Sequence, residues 1–236
     1  MSARTTLVLV WLPLFFQIQL SLGQTVPQDS LIVDVDSRYL EDQFYIGVGI
    51  NFLGNRPNDV VQSSLSYSLQ LGFIKDIPLN KARNFGIGLG LGYAANSYYS
   101  NIGADRSTGE IQYLILNSDE FTRSKLETHT VELPFEIRWR TSTATDYKFW
   151  RIYTGLKVGY VFSGRSRLVS DMETVGFYND DFQDFQYGLT LNFGYNTWNV
   201  QAYYGLNPLL KSGTLLNTGE SIEANVLRVG IIFYIL

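Results

Sequence analysis

The amino-acid sequence predicts an all-β fold, an eight-stranded antiparallel up-and-down barrel that spans a membrane. Three observations predict it: apolar and polar residues alternate in eight segments, the connections are short on one side and long on the other, and aromatic residues collect at strand ends. The composition agrees, because the 236 residues include 15 Phe, 16 Tyr and 21 Gly but no Cys. Aromatic residues are enriched in β-strands.

The segment of residues 130–140 shows the alternation most clearly. Its odd-numbered residues, such as Trp139, are apolar, and its even-numbered residues include Glu136 and Arg138. Successive side chains of a strand point to opposite faces. In a soluble protein the apolar face would belong to a core, whereas in an outer-membrane barrel it meets lipid and the charges fill the interior. Because proline cannot donate to a β-ladder, we expect a β-bulge at Pro134.

Seven other segments repeat this alternation, and each has about the ten residues that cross a bilayer at a tilt. Residues 130–140 are the fourth segment in chain order, and the others are residues 43–52, 65–73, 85–93, 150–162, 188–195, 198–206 and 227–235. The polar face of the third segment carries only Gly. We expect Tyr45 and Arg138 to extend across the lumen into the space that these glycines leave.

The connections between the segments differ in length. Residues 77–84, 141–148 and 196–197 form short connections, whereas the alternate connections are mostly longer and more polar, above all residues 103–125 and 164–184. Outer-membrane barrels have short periplasmic turns and longer extracellular loops. The pattern therefore predicts a barrel whose N- and C-termini are both periplasmic.

Aromatic residues supply the third observation. Aromatic rings favour the interface between lipid and water, and transmembrane barrels carry a girdle of them at each interface. A periplasmic girdle is predicted at Phe73, Phe85, Trp139, Trp150, Tyr195, Trp198 and Phe233. A second group is predicted towards the opposite rim, at Tyr98, Tyr160, Phe162 and Tyr187.

The beginning of the chain differs from the rest. Residues 1–23 combine Arg4, a dense apolar run and small residues ahead of Gln24, which is typical of a cleaved signal peptide. The apolar run has about ten residues, where a transmembrane helix needs about 20. We expect residues 24–41 to be a polar periplasmic lead-in and residues 42–236 to form the barrel domain.

The inward face is predicted to carry a charge network. Its members are Glu132, Glu136, Arg138, Arg151, Lys157 and Arg228. The lumen of an eight-stranded barrel is just wide enough to be filled by side chains, and buried charges have to be paired. We therefore expect a structural plug, and the alternative is a gated conduit or a docking site for a secreted segment. A soluble lipocalin-like barrel would need an apolar interior, but the side chains on this face are too small and too charged to line an apolar cavity.

Other functions find little support in the sequence. The net charge of −4 and the lack of a basic run argue against a nucleic-acid partner. We expect no cofactor and no metal, because metal-ligand spacings, phosphate loops and serine elbows are not found. The chain has one histidine, His129, which the alternation places at the outer rim on the lipid side. A general base needs a partner there, so we expect no enzyme, and a lipid-modifying enzyme is the least favoured alternative.

Several stretches carry details, mostly at turns, that alternation alone does not require. They are residues 38–47, 72–80, 90–94, 132–143, 149–153, 194–198 and 233–236. Together these stretches resemble the PorT family of outer-membrane barrels from Bacteroidetes. The resemblance covers nearly all of the chain after Arg38, and it is most specific between Glu132 and Tyr153.

The resemblance implies a non-enzymatic accessory of type IX protein secretion, and of gliding where it is present. The expected partners are outer-membrane lipid and other secretion components, which the turns at residues 76–80 and 140–147 would contact. The resemblance offers no catalytic residues. The chain ends on Leu236 where barrels usually end on an aromatic residue, so the insertion signal would rest on Phe233 and Tyr234. A general small porin or a structural surface barrel is the alternative.

Overall fold

The computed structural model describes residues 42–62, 64–117, 119–141, 149–171 and 173–235. These residues contain no helix long and apolar enough to cross a membrane. The predicted signal peptide and lead-in lie outside the described residues and stay predictions. The described strands are β1 (Gln43–Gly54), β2 (Tyr67–Pro78), β3 (Phe85–Tyr99), β4 (Ile102–Asp105), β5 (Gln112–Ile115), β6 (Arg123–Arg140), β7 (Trp150–Val169), β8 (Thr174–Tyr178), β9 (Phe185–Tyr195), β10 (Trp198–Pro208) and β11 (Asn225–Ile235).

Eight of these strands close into a barrel. The antiparallel order around it is β1, β2, β3, β6, β7, β9, β10 and β11, and β11 returns to β1 from the pair Phe44–Ile235 to the pair Gly54–Asn225. Each barrel strand lies beside its sequence neighbour, so the predicted eight-stranded up-and-down barrel is confirmed. Of the remaining strands, β8 pairs with the end of β7, from Arg165–Tyr178 to Val169–Thr174, and β4 and β5 form a separate hairpin.

The outer surface of the barrel is apolar and its interior is polar. Along β1 the buried and exposed residues alternate strictly, with Gln43 1% exposed and its neighbour Phe44 62% exposed. On β6 the exposed residues include Trp139 and the buried ones include Arg138. A water-soluble domain rarely exposes so large an apolar surface. This inverted arrangement is the one that suits a barrel surrounded by lipid.

The strands run further at the long-loop end, called here the extracellular end, than the alternation predicts. The predicted segment 130–140 is the periplasmic part of β6, and the predicted segment 150–162 is the periplasmic part of β7. Beyond Val131 the outward residues of β6 are polar, although the ladder to β7 continues as far as Arg123. Alternation of apolar and polar residues indicates a lipid-facing surface, so it ends where the lipid ends. The hydrogen bonds between the strands continue beyond that point.

The predicted bulge at Pro134 is wrong. Pro134 stays in continuous register opposite Lys157, and the register shift between β6 and β7 lies between His129 and Thr130, beside the extra residue Phe162. The proline ring is buried against Gly90, whose missing Cβ would lie 3.0 Å from the Pro134 Cγ atom. The strand therefore accommodates the proline by close packing, and the bulge marks the extracellular rim.

The closest approach of backbones occurs at Gly155 of β7. A Cβ atom there would lie 1.9 Å from the Phe135 carbonyl oxygen and 2.8 Å from the Glu136 Cα atom. Both atoms belong to the neighbouring strand, so neither can move without disturbing the ladder. By contrast, the nearest atom to a Cβ on Gly54 is the Asn225 oxygen at 3.8 Å.

Replacing Gly155 by alanine should therefore impair folding of the barrel, whereas Gly54→Ala should have little effect. Overpacking of this kind costs about 1–3 kcal/mol, which should lower the yield of folded protein severalfold. The yield is measured as the heat-modifiable band on a gel after refolding into lipid vesicles. Equal yields from the two variants would contradict this account of Gly155.

Candidate functional site

The first group of ion pairs in the lumen, called here the upper ion pairs, joins Glu132 to Lys157 and Arg228. Arg228 of β11 reaches Glu132 on the opposite side of the barrel, with 3.4 Å between Nη1 and Oε1. Its other nitrogens donate to Asn51 at 3.1 Å and to Asn96 at 2.7 Å. The second oxygen of Glu132 accepts a hydrogen bond from the Lys157 Nζ atom at 2.8 Å. One carboxylate therefore joins two cations from different strands.

The middle of the lumen is filled by amides that continue this network. Lys157 also donates to the Gln70 side chain at 3.0 Å, and Gln70 bonds Gln201 across the barrel. Gln201 in turn donates to Asn192 at 2.8 Å, and Asn192 donates to Glu136 at 3.1 Å. The hydrogen bonds therefore run without interruption from the upper ion pairs to the ion pairs at the periplasmic end.

At the periplasmic end two arginines share one aspartate. Arg140 contacts both oxygens of Asp76, at 2.9 and 2.7 Å. Arg138 donates to Asp76 at 3.2 Å, to Glu136 at 3.1 Å and to Gln43 at 2.8 Å. Paired and hydrogen-bonded in this way, the charges avoid the large cost of isolated ions in a dry interior.

The glycines of β3 provide the room that these long side chains occupy. A Cβ atom at Gly88 would lie 2.8 Å from the Arg138 Nε atom, and one at Gly92 would lie 2.0 Å from the Tyr45 hydroxyl oxygen. Any larger residue would collide with a side chain crossing the lumen. The glycine face of β3 and the long side chains of β1 and β6 are therefore complementary.

The remaining member of the predicted charge network is held differently. Arg151 is buried and lies directly opposite Arg140 in the ladder of β6 and β7. Its guanidinium carbon lies 4.4 Å from the ring centre of Phe149 and 5.7 Å from that of Tyr234. The structure thus places all six predicted residues inside the barrel, five in one bonded network and Arg151 against aromatic faces.

The structure places one charged residue of the network differently from the sequence analysis. Asp76 was expected in a periplasmic turn, as part of a surface for secretion partners, but its side chain is 0% exposed and pairs with Arg140 inside the lumen. Arg140 ends the predicted segment 130–140, and residues 142–147 of the turn that follows lie outside the described residues. The even-numbered positions of Asp76 and Arg140 continue the inward faces of β2 and β6, so the alternation of odd and even positions (parity) alone indicates where they lie. The amides Gln43, Gln70, Asn192 and Gln201 carry the same signal.

The predicted periplasmic girdle residues all lie on the outward face, where they form clusters. Trp150 contacts Phe193 and Tyr195 at ring distances of 5.3 and 4.9 Å, and Trp198 packs edge-on against Phe233 at 5.5 Å. Phe73, Phe85 and Trp139 are also exposed outwards. At the other rim, Tyr160, Phe162 and Tyr187 face outwards. Tyr98 does not, since its even position on β3 turns the ring inwards, where it is fully buried.

The extracellular mouth is covered by a folded cap, which the sequence did not predict. The cap comprises residues 55–62, the β4–β5 hairpin and residues 179–184 and 209–224. It encloses an apolar core that includes Val60, Tyr98, Ile102, Tyr113, Phe182, Leu210, Leu216 and Ile222. Its strands have only four residues each, too few for alternation to reveal them.

Tyr113 joins three parts of the cap. Its hydroxyl donates to Asp181 at 3.0 Å and accepts a hydrogen bond from Asn179 at 2.8 Å. Its carbonyl accepts one from the Asn217 amide at 2.7 Å. Burial raises the pKa of the Tyr113 hydroxyl far above its ordinary value, and the nearby Asp181 carboxylate acts in the same direction. The hydroxyl therefore stays protonated and can donate.

His129 lies at the outward rim, beside the register shift. Its Nδ1 atom is 2.6 Å from the Tyr93 hydroxyl, and both rings contact Phe162 at 6.2 Å. Ser163 is its direct neighbour across the strands. The carboxylate of Glu127, two residues away on the same strand face, is paired with Lys125. The described residues include no cluster of ligands suited to a metal ion.

Taken together, these features define a small transmembrane β-barrel whose lumen is crossed by ion pairs and whose outer mouth is capped. The family model of the outer membrane protein beta-barrel domain matches residues 14–211, which is most of the chain. The chain therefore belongs to this family and is an integral outer-membrane barrel. A comparison with curated proteins found no match. The last strand, β11, lies beyond the matched residues but closes the barrel.

Replacing Glu132 by glutamine should destabilise the barrel strongly, because Lys157 and Arg228 would remain buried without their shared carboxylate. Loss of one partner of a buried pair costs about 3–5 kcal/mol. The control is Lys75→Gln, since Lys75 pairs with Asp42 at the surface and such pairs contribute at most about 1 kcal/mol. Urea unfolding in vesicles measures both values, and equal losses would rule out the special role of Glu132.

Replacing Tyr113 by phenylalanine should loosen the cap and leave the barrel intact. The variant loses two hydrogen bonds and leaves buried polar groups without partners, which costs about 1–3 kcal/mol. The population of the locally opened cap should therefore rise about tenfold. Tryptic cleavage at two cap residues, the exposed Arg106 and the half-buried Lys211, reports the opening. Tyr178→Phe, at an exposed ring, is the control. Unchanged cleavage of the Tyr113 variant would show that these bonds do not hold the cap.

Proposed function

We propose that this outer-membrane barrel is a non-enzymatic accessory of type IX protein secretion, as its resemblance to the PorT family implies. In this role it anchors and positions other secretion proteins, and it does not itself conduct them. The observation that carries the anchoring role is the bonded network across the lumen, in which Arg228 joins Glu132 on the opposite strand. Opening a path for a polypeptide would require breaking these buried pairs.

The folded cap supports the same proposal. A conduit needs a mouth that opens, whereas here an apolar core holds the extracellular loops together over the barrel. Opening such a core exposes apolar surface to water, which costs a free energy of about 25 cal/mol for each Å² exposed. An anchor has no need for that rearrangement, and it benefits from loops that keep one shape.

The periplasmic turn between β2 and β3 is the proposed contact for a secretion partner. Leu79 is exposed, and Lys81 and Arg83 lie beside it around a surface depression of about 540 Å³. A side-chain bond of 2.6 Å between Asn80 and Asn84 closes the turn. An exposed apolar residue flanked by cations suits a partner with an apolar and acidic surface. With Asp76 inside the lumen, the proposed surface begins at Leu79.

Deleting the gene should reduce the set of surface and secreted proteins, and the wild-type gene should restore it. A variant with Leu79→Asp and Lys81→Glu should fold, shown by a heat-modifiable band in the membrane fraction, but should fail to restore secretion. Leu215→Asp, at an exposed position of the cap, is the matched control and should restore it. Mass spectrometry of the culture medium and cell surface measures the outcome.

An unchanged set of secreted proteins in the deletion strain would refute the secretion role. A small porin or a structural surface barrel would then be the better proposal. If deletion reduces secretion but the Leu79 variant restores it fully, the accessory role stands and the contact at this turn does not.

A lipid-modifying enzyme is the second candidate, and the pairing of His129 with Ser163 across the strands is the observation that favours it. Nucleophilic catalysis needs a serine bonded to a histidine that a third group orients. In the described structure the imidazole bonds Tyr93, and the carboxylate on that face is taken by Lys125. Altered lipid A or phospholipid profiles in a His129→Ala strain would favour the enzyme over the proposed accessory.

A further inference from the structure

A basic patch lies on one side of the barrel, directly above its lipid-facing surface. It consists of Arg123 and Lys125 on β6 and Arg165 and Arg167 on β7, where these strands extend beyond the membrane. Their odd-numbered positions continue the outward face of β6, and the bulge at Phe162 shifts the outward face of β7 to odd positions. All four side chains therefore point sideways, in the direction that the lipid occupies further down the barrel.

The depth of the patch matches that of lipid headgroups. The rings of Tyr93, His129 and Phe162 mark the upper rim of the apolar surface. At about 3.3 Å for each residue, Arg165 lies about 7 Å and Arg167 about 13 Å further along β7 than the neighbour of His129. The strands are tilted, so the heights are smaller, and the interfacial zone outside the hydrocarbon is several Å thick.

The charges of the patch are not balanced within the described structure. Lys125 and Arg167 lie directly opposite each other in the ladder, and like charges in that position are destabilising. The one carboxylate on this face of the described strands, Glu127, is paired with Lys125 and lies directly opposite Arg165 in the ladder, so four cations share one anion. Arg165 stacks on the ring of Tyr178 at 4.6 Å. The arrangement leaves an excess of positive charge that an external anion would neutralise.

The patch also provides space for such an anion. A groove of about 250 Å³ is lined by residues that include Arg165, Arg167, Thr174 and Gly176, and also by Glu127, whose carboxylate is paired with Lys125. Gly176 lies opposite Arg167 and has no side chain to fill the groove. A phosphate there would meet two guanidinium groups, which bind phosphate oxygens through paired hydrogen bonds.

The surrounding charges point to an occupant in the membrane. At the tip of the same extension, furthest from the bilayer, the described residues Glu120, Asp171 and Glu173 are acidic. On the other side of the barrel the strand ends carry amides, as in the bond between Asn55 and Asn225. Arg56, Arg106 and Lys211 lie in the cap, whereas Lys125, Arg165 and Arg167 lie on the outward face of β6 and β7, closer to the apolar surface.

We propose that the patch binds the phosphate groups of an outer-leaflet glycolipid, with the acyl chains against the aromatic rim below. Basic clusters beside the apolar belt recognise anionic headgroups in this way, with each Lys or Arg adding to the attraction. The inference rests on the barrel's place in the outer membrane and is independent of any role in secretion.

The test uses the full-length barrel, solubilised in detergent and titrated with diphosphoryl lipid A or its dephosphorylated form. Native mass spectrometry gives the dissociation constants. The double variant Arg165→Gln, Arg167→Gln should bind diphosphoryl lipid A about tenfold or more weakly than the wild type. The control Lys75→Gln, Lys81→Gln removes two cations at the periplasmic end and should bind like the wild type. Arg165→Lys with Arg167→Lys keeps both charges but loses the paired guanidinium hydrogen bonds, so it should bind more tightly than the double glutamine variant and more weakly than the wild type.

Three results would overturn the proposal. They are equal binding of both lipid forms by the wild type, an unaffected double glutamine variant, and an equal loss in the periplasmic control, which would show general charge attraction only. A heat-modifiable band establishes that each variant is folded. If the double variant does not refold, the single variant Arg167→Gln provides the same comparison.

Discussion

The pairing of Glu132 with Lys157 and Arg228 is the interaction on which much of the interior depends. An eight-stranded barrel has a lumen so narrow that side chains fill it, so a charge that points inwards must find its partner within a few ångströms. Glu132 meets two cations, one from the adjacent β7 and one from the opposite β11. Because β11 contributes one of them, the upper ion pairs are complete only when the barrel has closed.

Space imposes a second constraint, and the glycines satisfy it. Tyr45 and Arg138 could not cross the lumen if Gly88 and Gly92 carried side chains. Long residues on β1 and β6 therefore require small ones on β3. A similar exchange operates between strands, where the ring of Pro134 is buried over Gly90. Glycine weakens an isolated strand, but in this barrel it permits contacts that span the full width of the interior.

The sequence predicted the fold and most of the interior because both follow from parity. A lipid-facing strand must be apolar on alternate positions, so the segments, their inward charges and the orientation of Trp139 can be read directly. Alternation also indicated the position of Asp76, which was assigned to a turn because the second segment was expected to end at residue 73, whereas β2 continues to Pro78. The cap could not be predicted, since residues such as Tyr113 and Leu216 meet only through the tertiary arrangement of loops.

The same reasoning explains why the alternation pattern does not predict the basic patch. Above the rim the outward face no longer meets hydrocarbon, so its residues are free of the apolar requirement while the backbone ladder of β6 and β7 continues. At Phe162 the bulge changes which residues of β7 face outwards, and Arg165 and Arg167 join the outward face of β6 only as a result. A small irregularity in one strand therefore determines where the surface of the barrel becomes charged.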